Sequence, residues 1–246
     1  MTKRLLVIVG LFIVGVIGGI FADQILWPYF IERPLFYKYR LEQAPIYVTE
    51  RKEITIEENT ALQDAVEKVG KTIVNIRSTV VGGKIVEGTG MIISSDGLVV
   101  TLADLVPSGS TTVVMWENNK VTFDILKRDP KINLAVIKIN EKNLPTTGFA
   151  DLTQARLGER IFLLSATVVV SGTTHNPITD IKKSVREGII SSLYGTNPET
   201  SITGTLKLKG SPLFDIGGKL LGLSLVSDKG DVSIMPISVI RAFMGM

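Results

Sequence analysis

From Lys71 to Ile237 the chain is a run of short β-rich segments with turn signals between them and no helical pattern in between. The segments are KTIVNIRS, GMIIS, GLVVT, TTVVMW, LAVIKI, RIFLLSATVVV, GIISSLY, KLLGLSLV and VSIMPI. Ser95-Asp96-Gly97, Asn118-Asn119, Asp129-Pro130 and Ile216-Gly217-Gly218 punctuate them. Many short strands without intervening helices exclude a parallel α/β sheet and indicate a sandwich or a pair of barrels. Before them, Asn59 or Thr60 is placed to cap a short helix, ALQDAVEKVG, with Ala61, Ala65, Val66 and Val69 on one face and Gly70 past its end. After them, SVIRAFMGM reads as a short closing helix.

The other constraint is at the N-terminus. Lys3 and Arg4 precede an uncharged run from Leu5 to Phe21. As a helix it is about 26 Å long, just under a hydrocarbon core. Asp23 ends it, and Ile25, Leu26, Trp27, Tyr29 and Phe30 supply the aromatic mix of a membrane–water boundary. Positive charge before the span predicts a cytoplasmic N-terminus and an extracytoplasmic remainder, periplasmic or extracellular. A cleaved signal peptide is the rival reading. Ile20-Phe21-Ala22 is a poor cleavage site because Ile20 is large where a small residue is needed, so an uncleaved single-pass anchor is expected. Gly15 and Gly19 are spaced to let two such helices approach. Residues 23–58, with Pro34 and Pro45, read as an interfacial segment and stalk, and 59–246 as the folded domain.

Composition removes several chemistries. The chain has 246 residues and no Cys, which excludes disulfides, thiolate metal sites and a cysteine nucleophile. A single His excludes a multi-His metal site, and His175 sits in a polar loop with no spaced nucleophile. Glu87, Asp96, Asp124 and Asp129 lack metal-loop spacing and read as solvated or turn carboxylates. No cofactor and no metal are expected. With 27 Lys+Arg against 24 Asp+Glu the net charge is +3, which gives no field for nucleic acid; Lys182, Lys183 and Arg186 read as a solvated strand edge.

Seven segments in register resemble the HtrA (Deg) type of trypsin-like serine proteases. ITIEENTALQDAVEKVGKTIVNI is similar to that family's opening helix and first strand, and Gly88 to Gly97 to its G-S-G-F-I-I-S-x-D-G hairpin. Asp129 to Ile139 resembles D-x-x-x-D-L-A-V-L-K-I, and Leu157-Gly158-Glu159-Arg160 the step before a central strand. Val185 to Ser192 resembles V-T-x-G-I-V-S-A. Gly210 to Leu213 with Gly217 to Gly222 resembles the strands after the nucleophile, and Met235-Pro236-Ile237 the step before the last helix. The resemblance covers about residues 54–246. It implies an all-β double six-stranded antiparallel barrel with short flanking helices, here preceded by one transmembrane helix, and a cleft between the barrels. No PDZ domain is expected within these residues. A homotrimer through the arm Trp27–Tyr47 is implied as well, since such proteins often trimerise through N-terminal segments.

The family's catalytic positions are altered. The base of T-N-A-H-V falls on Asp104, the orienting aspartate before L-A-V on Asn133, and the serine of G-N-S-G-G-P on Lys209. A serine protease needs a nucleophile, a base and an orienter for the base. Lys209 has no hydroxyl, Asp104 is a poor base near neutral pH, and Asn133 carries no charge. Lys207 replaces the glycine whose backbone N–H serves the oxyanion hole, where a Cβ is expected to be penalised. The expectation is a pseudoprotease with a peptide- or protein-binding or a scaffolding role, its degenerate cleft formed by Asp104, Lys207, Lys209 and Gly210, with an Asp104–Lys209 ion pair and Asn133 beside it. The alternative is an atypical serine endopeptidase using Ser211, which would have to leave the position of a packing glycine and face the cleft.

Overall fold

A computed structural model describes residues 2–26, 60–173, 176–194 and 197–246. The chain falls into two units, Met1–Ile56 and Glu57–Met246. In the first, helix α1 (Thr2–Phe21) continues through a wider turn, Ala22–Leu26. Its stretch Val7–Gln24 is long and apolar enough to cross a membrane, and its side chains are exposed within the unit. The arm 27–58, Asn59 and His175 lie outside the described residues.

The second unit opens with helix α2 (60–69), which buries Ala65 and Val69 and ends at Gly70 as its apolar spacing requires. Strands β1 (Ile73–Thr79), β2 (Ile85–Ile92), β3 (Leu98–Thr101), β4 (Thr111–Trp116), β5 (Asn119–Val121), β6 (Phe123–Asp129) and β7 (Leu134–Ile139) form a seven-stranded sheet in the order β5-β4-β1-β2-β3-β7-β6. Six strands were expected. The seventh arises because Glu117 and Asn118, both at positive φ (46° and 66°), close a tight turn that returns β5 onto β4.

Strands β8 (Arg160–Thr173), β9 (Asn176–Ser192), β10 (Glu199–Thr203), β11 (Pro212–Asp215), β12 (Leu220–Val226) and β13 (Asp231–Pro236) close a six-stranded barrel. Helix α3 (Ile237–Met244) follows, burying Ile237, Ile240 and Phe243 and ending at Gly245 in the left-handed conformation. The architecture is thus all-β with two barrel-like sheets and short flanking helices.

Period-two alternation along β8 joins the two halves. Ile161 and Leu163 point into the closed barrel, with Ile190, Leu213 and Ile234. Phe162, Leu164 and Ala166 point the other way, into the core shared with the first sheet, where Phe162 stacks on Phe214 at 5.2 Å. Polar groups pin the same seam. Asn75 Nδ2 donates to the Ala166 carbonyl at 2.8 Å, and the Ala166 N–H donates to Thr89 Oγ1 at 3.0 Å. Glu87 is half-buried, not solvated as its sequence context suggests. Its carboxylate accepts from the Val168 N–H at 2.6 Å and from Asn75 at 3.1 Å, fastening β2 to β8.

Candidate functional site: a rebuilt catalytic cleft

Each half of the fold supplies one side of the site. On the first sheet, residues 103–105 make a short 3₁₀ turn between β3 and β4, burying Ala103 and Leu105 and leaving Asp104 exposed. Arg128, reaching across from β6, donates to the Val106 carbonyl at 2.8 Å and the Ala103 carbonyl at 3.2 Å, so the carbonyl end of that turn is satisfied by a cation.

Asn133 lies in the turn before β7 at φ 56°, a conformation asparagine tolerates better than most residues. Its backbone and side chain both hold the Asp104 turn. The Ala103 N–H donates to the Asn133 carbonyl (3.3 Å), the Asp104 N–H donates to Asn133 Oδ1 (3.0 Å), and Asn133 Nδ2 donates to Asp104 Oδ2 (3.2 Å). The amide suits this partner. An aspartate at 133 would accept the Asp104 N–H equally well but set a carboxylate against the Asp104 carboxylate.

On the second barrel, residues 205–211 lead into β11. Lys209 Nζ lies 3.7 Å from Asp104 Oδ2, with the lysine side chain 26% exposed and the aspartate 56%. This is the expected ion pair, but beyond hydrogen-bond distance rather than within it. At that exposure such a pair is worth about 0.2–1 kcal/mol.

The backbone beside Lys209 is committed as well. Leu206–Leu208 form a 3₁₀ turn. The Leu208 N–H donates to the Thr205 carbonyl (2.9 Å) and the Lys209 N–H donates to the Leu206 carbonyl (3.1 Å). An oxyanion hole needs the N–H at the nucleophile position aimed at the reacting oxygen. Here that N–H is spent inside the chain. Lys207 is not at positive φ, so the expected Cβ penalty does not arise: the segment winds into the 3₁₀ turn instead.

Leu208 anchors the turn. Its side chain is buried in the closed barrel, while its carbonyl accepts from the Ser211 N–H (3.1 Å) and from the Ser224 hydroxyl. The turn docks on β2 through the Thr89 N–H, which donates to the Lys209 carbonyl at 3.0 Å. Gly88 permits this approach, since a Cβ there would sit 2.4 Å from that carbonyl oxygen.

Ser211 is fully buried, and its hydroxyl meets Thr89 Oγ1 at 3.2 Å in the seam between the sheets. It does not line the cavity of about 560 Å³ beside Asp104 and Lys209. No serine, threonine or cysteine lines that cavity among the described residues. The site therefore brings together Asp104, Asn133, Lys207 and Lys209, and leaves out Ser211 and also Gly210, which was expected in the cleft but is buried and does not line the cavity. Sequence reasoning missed Arg128, Leu208 and Glu87, whose roles come from contacts that no local motif marks.

Residues 88–223, more than half of the chain, match the trypsin-like peptidase domain family. A Chlamydia muridarum protein named "Probable periplasmic serine endoprotease DegP-like" is 34% identical over 154 residues, 59% of this chain and 29% of that protein. A Pseudomonas putida protein of the same name is 27% identical over 146 residues, 56% of this chain and 28% of that one. The chain thus spans less than a third of the length of these curated relatives. Among solved structures, the HtrA-type protease AlgW with a tripeptide aligns at a TM-score of 0.60 and 20% identity, covering 75% of this chain and 62% of that one. A serine endoprotease from Yersinia pestis aligns at 0.60 and 20%, covering 75% and 65%. The chain belongs to the trypsin-like peptidase domain family.

Proposed function

We propose that this is a pseudoprotease: an HtrA-type domain that does not hydrolyse peptides and whose cleft holds a peptide or protein partner. The observation that carries the reading is the nucleophile position itself. Lys209 stands there, ion-paired to Asp104, with its own N–H consumed by Leu206. Nucleophile, base and oxyanion hole are lost together, and acyl transfer needs all three. The reading of Ser211 as a substitute nucleophile has no support in its surroundings, since its hydroxyl is buried against Thr89.

The N-terminal helix and the periplasmic naming of the relatives support placing the domain outside the cytoplasm on a single-pass anchor. Trimerisation through the arm Trp27–Tyr47 is part of the same proposal.

The test is direct. Full-length protein in neutral detergent is treated with a fluorophosphonate probe and, separately, with unfolded casein. No label and no cleavage are expected. Labelling that disappears in Ser211→Ala would overturn the reading and make the chain an unconventional serine protease.

A further inference from the structure

The cavity beside Asp104 and Lys209 is unusually cationic. Arg77, Lys84, Arg128, Lys207 and Lys209 line it. Its carboxylates are Glu87 and Asp104, so its excess is +3, as large as that of the whole chain. The remainder of the protein is therefore balanced, and the positive field is concentrated here.

The two carboxylates are also committed. Asp104 faces Lys209 and Asn133, and Glu87 is turned onto the Val168 N–H and Asn75. No carboxylate lies within ion-pair distance of Arg77, Lys84 or Lys207 among the described residues. Arg128 donates to two carbonyls, which are neutral partners.

Two further features distinguish what this field can hold. Ile85 and Leu206, each 49% exposed, put apolar surface between the cations. One backbone edge is open as well: β2 pairs with β1 from Ile85 to Met91, but with β3 only at Met91 and Ile92. Along Ile85–Glu87 that side has no strand partner among the described residues. An unpaired edge, apolar contacts and surplus cations fit an extended polypeptide with alternating acidic and apolar side chains. A phosphate ester or a lipid headgroup would use the cations but neither of the other two features. The volume of about 560 Å³ suits a segment of a few residues.

We infer that this cavity is a docking site for an extended acidic peptide segment of a partner protein. The carboxylates of that segment meet Arg77, Lys84 and Lys207, and its apolar side chains rest on Ile85 and Leu206. This rests on the pseudoprotease reading and names the ligand class of the same cleft.

The experiment uses full-length protein in neutral detergent and a fluorescein-labelled nonapeptide alternating Glu and Val, with a Gln-for-Glu counterpart, followed by fluorescence anisotropy. The Glu peptide is expected to bind at least about tenfold more tightly than the Gln peptide at low salt, with the gap closing at high salt. Lys84→Gln and Lys207→Gln, both at exposed positions, are each expected to weaken the Glu peptide by about two- to fivefold with unchanged thermal unfolding. Equal binding of the two peptides, indifferent to both substitutions, overturns the acidic preference and leaves the pseudoprotease reading intact. Absence of binding by either peptide overturns the inference, as does capture of phosphatidylglycerol vesicles instead, lost in Lys84→Gln. Cleavage of either peptide overturns the pseudoprotease reading itself, whatever the charge selectivity.

Discussion

On the proposed pseudoprotease reading, the two halves of the cleft depart from a serine protease site in different ways. On the first sheet the reading needs a change of side chains only. Asp104 and Asn133 occupy the base and orienter positions, joined by hydrogen bonds between the two side chains and to the Asp104 backbone. On the second barrel the backbone has changed. The 3₁₀ turn Leu206–Leu208 absorbs the Lys209 N–H, and Leu208 fixes the turn in the barrel core. On this reading the first kind of change is expected to be reversible by exchanging side chains. The second needs the loop to refold, so it survives such an exchange.

The largest effect that would break this comparison is at Leu208. Leu208→Ala removes a buried side chain and should destabilise the domain by about 2–5 kcal/mol, read as a lower denaturant midpoint. It should also speed hydrogen exchange at the Lys209 amide well beyond that of Asp104. Equal changes at both amides would show that the turn is not anchored by Leu208 alone.

Asn133→Asp tests the first half. It places a second carboxylate against Asp104 and should cost about 1 kcal/mol near neutral pH, discounted for the exposure of Asp104. The loss should fade as pH falls and the carboxylates protonate, and should vanish in Asn133→Asp combined with Asp104→His. A neutral or stabilising Asn133→Asp would mean that the amide is not matched to Asp104.

The smallest effect is a control away from the cleft. The Lys138 ammonium and the Ser94 hydroxyl, both bonded to Asp96, hold its carboxyl below the usual carboxylate range. A lowered folded pKa gives stability that is present above the unfolded value near about 4 and lost as pH falls through the folded value. Asp96→Asn should therefore flatten the acid limb of the melting curve slightly and leave the behaviour of the Asn133 variants unchanged.

Much of this was legible in the residues. The alternation of short apolar runs with turn signals located most strands, and seven motifs in register placed Asp104, Asn133 and Lys209 at one site. The strands β5, β6, β10 and β11 are harder to see. β5, β10 and β11 are five residues or fewer, too short to show an alternating pattern, and β6 carries mostly exposed, mixed polar and apolar side chains. The 3₁₀ turn was hidden for a local reason: Thr205-Leu206-Lys207-Leu208-Lys209 alternates apolar and charged side chains, which is a strand pattern. Burial of Leu208 in the second barrel overrides it. Glu87 was misread because its partner, the Val168 N–H, is 81 residues away.

The measurement that tests the two-fold loss most directly is reversion of the three side chains together, Asp104→His, Asn133→Asp and Lys209→Ser, in the full-length protein, followed by fluorophosphonate labelling and casein turnover. The triple variant is expected to stay unlabelled and inert, with labelling appearing only when Lys207→Gly and Leu208→Asn are added to release the 206–208 turn. Labelling and casein cleavage by the triple variant alone would contradict the claim that the backbone of the second barrel blocks catalysis independently of the missing triad.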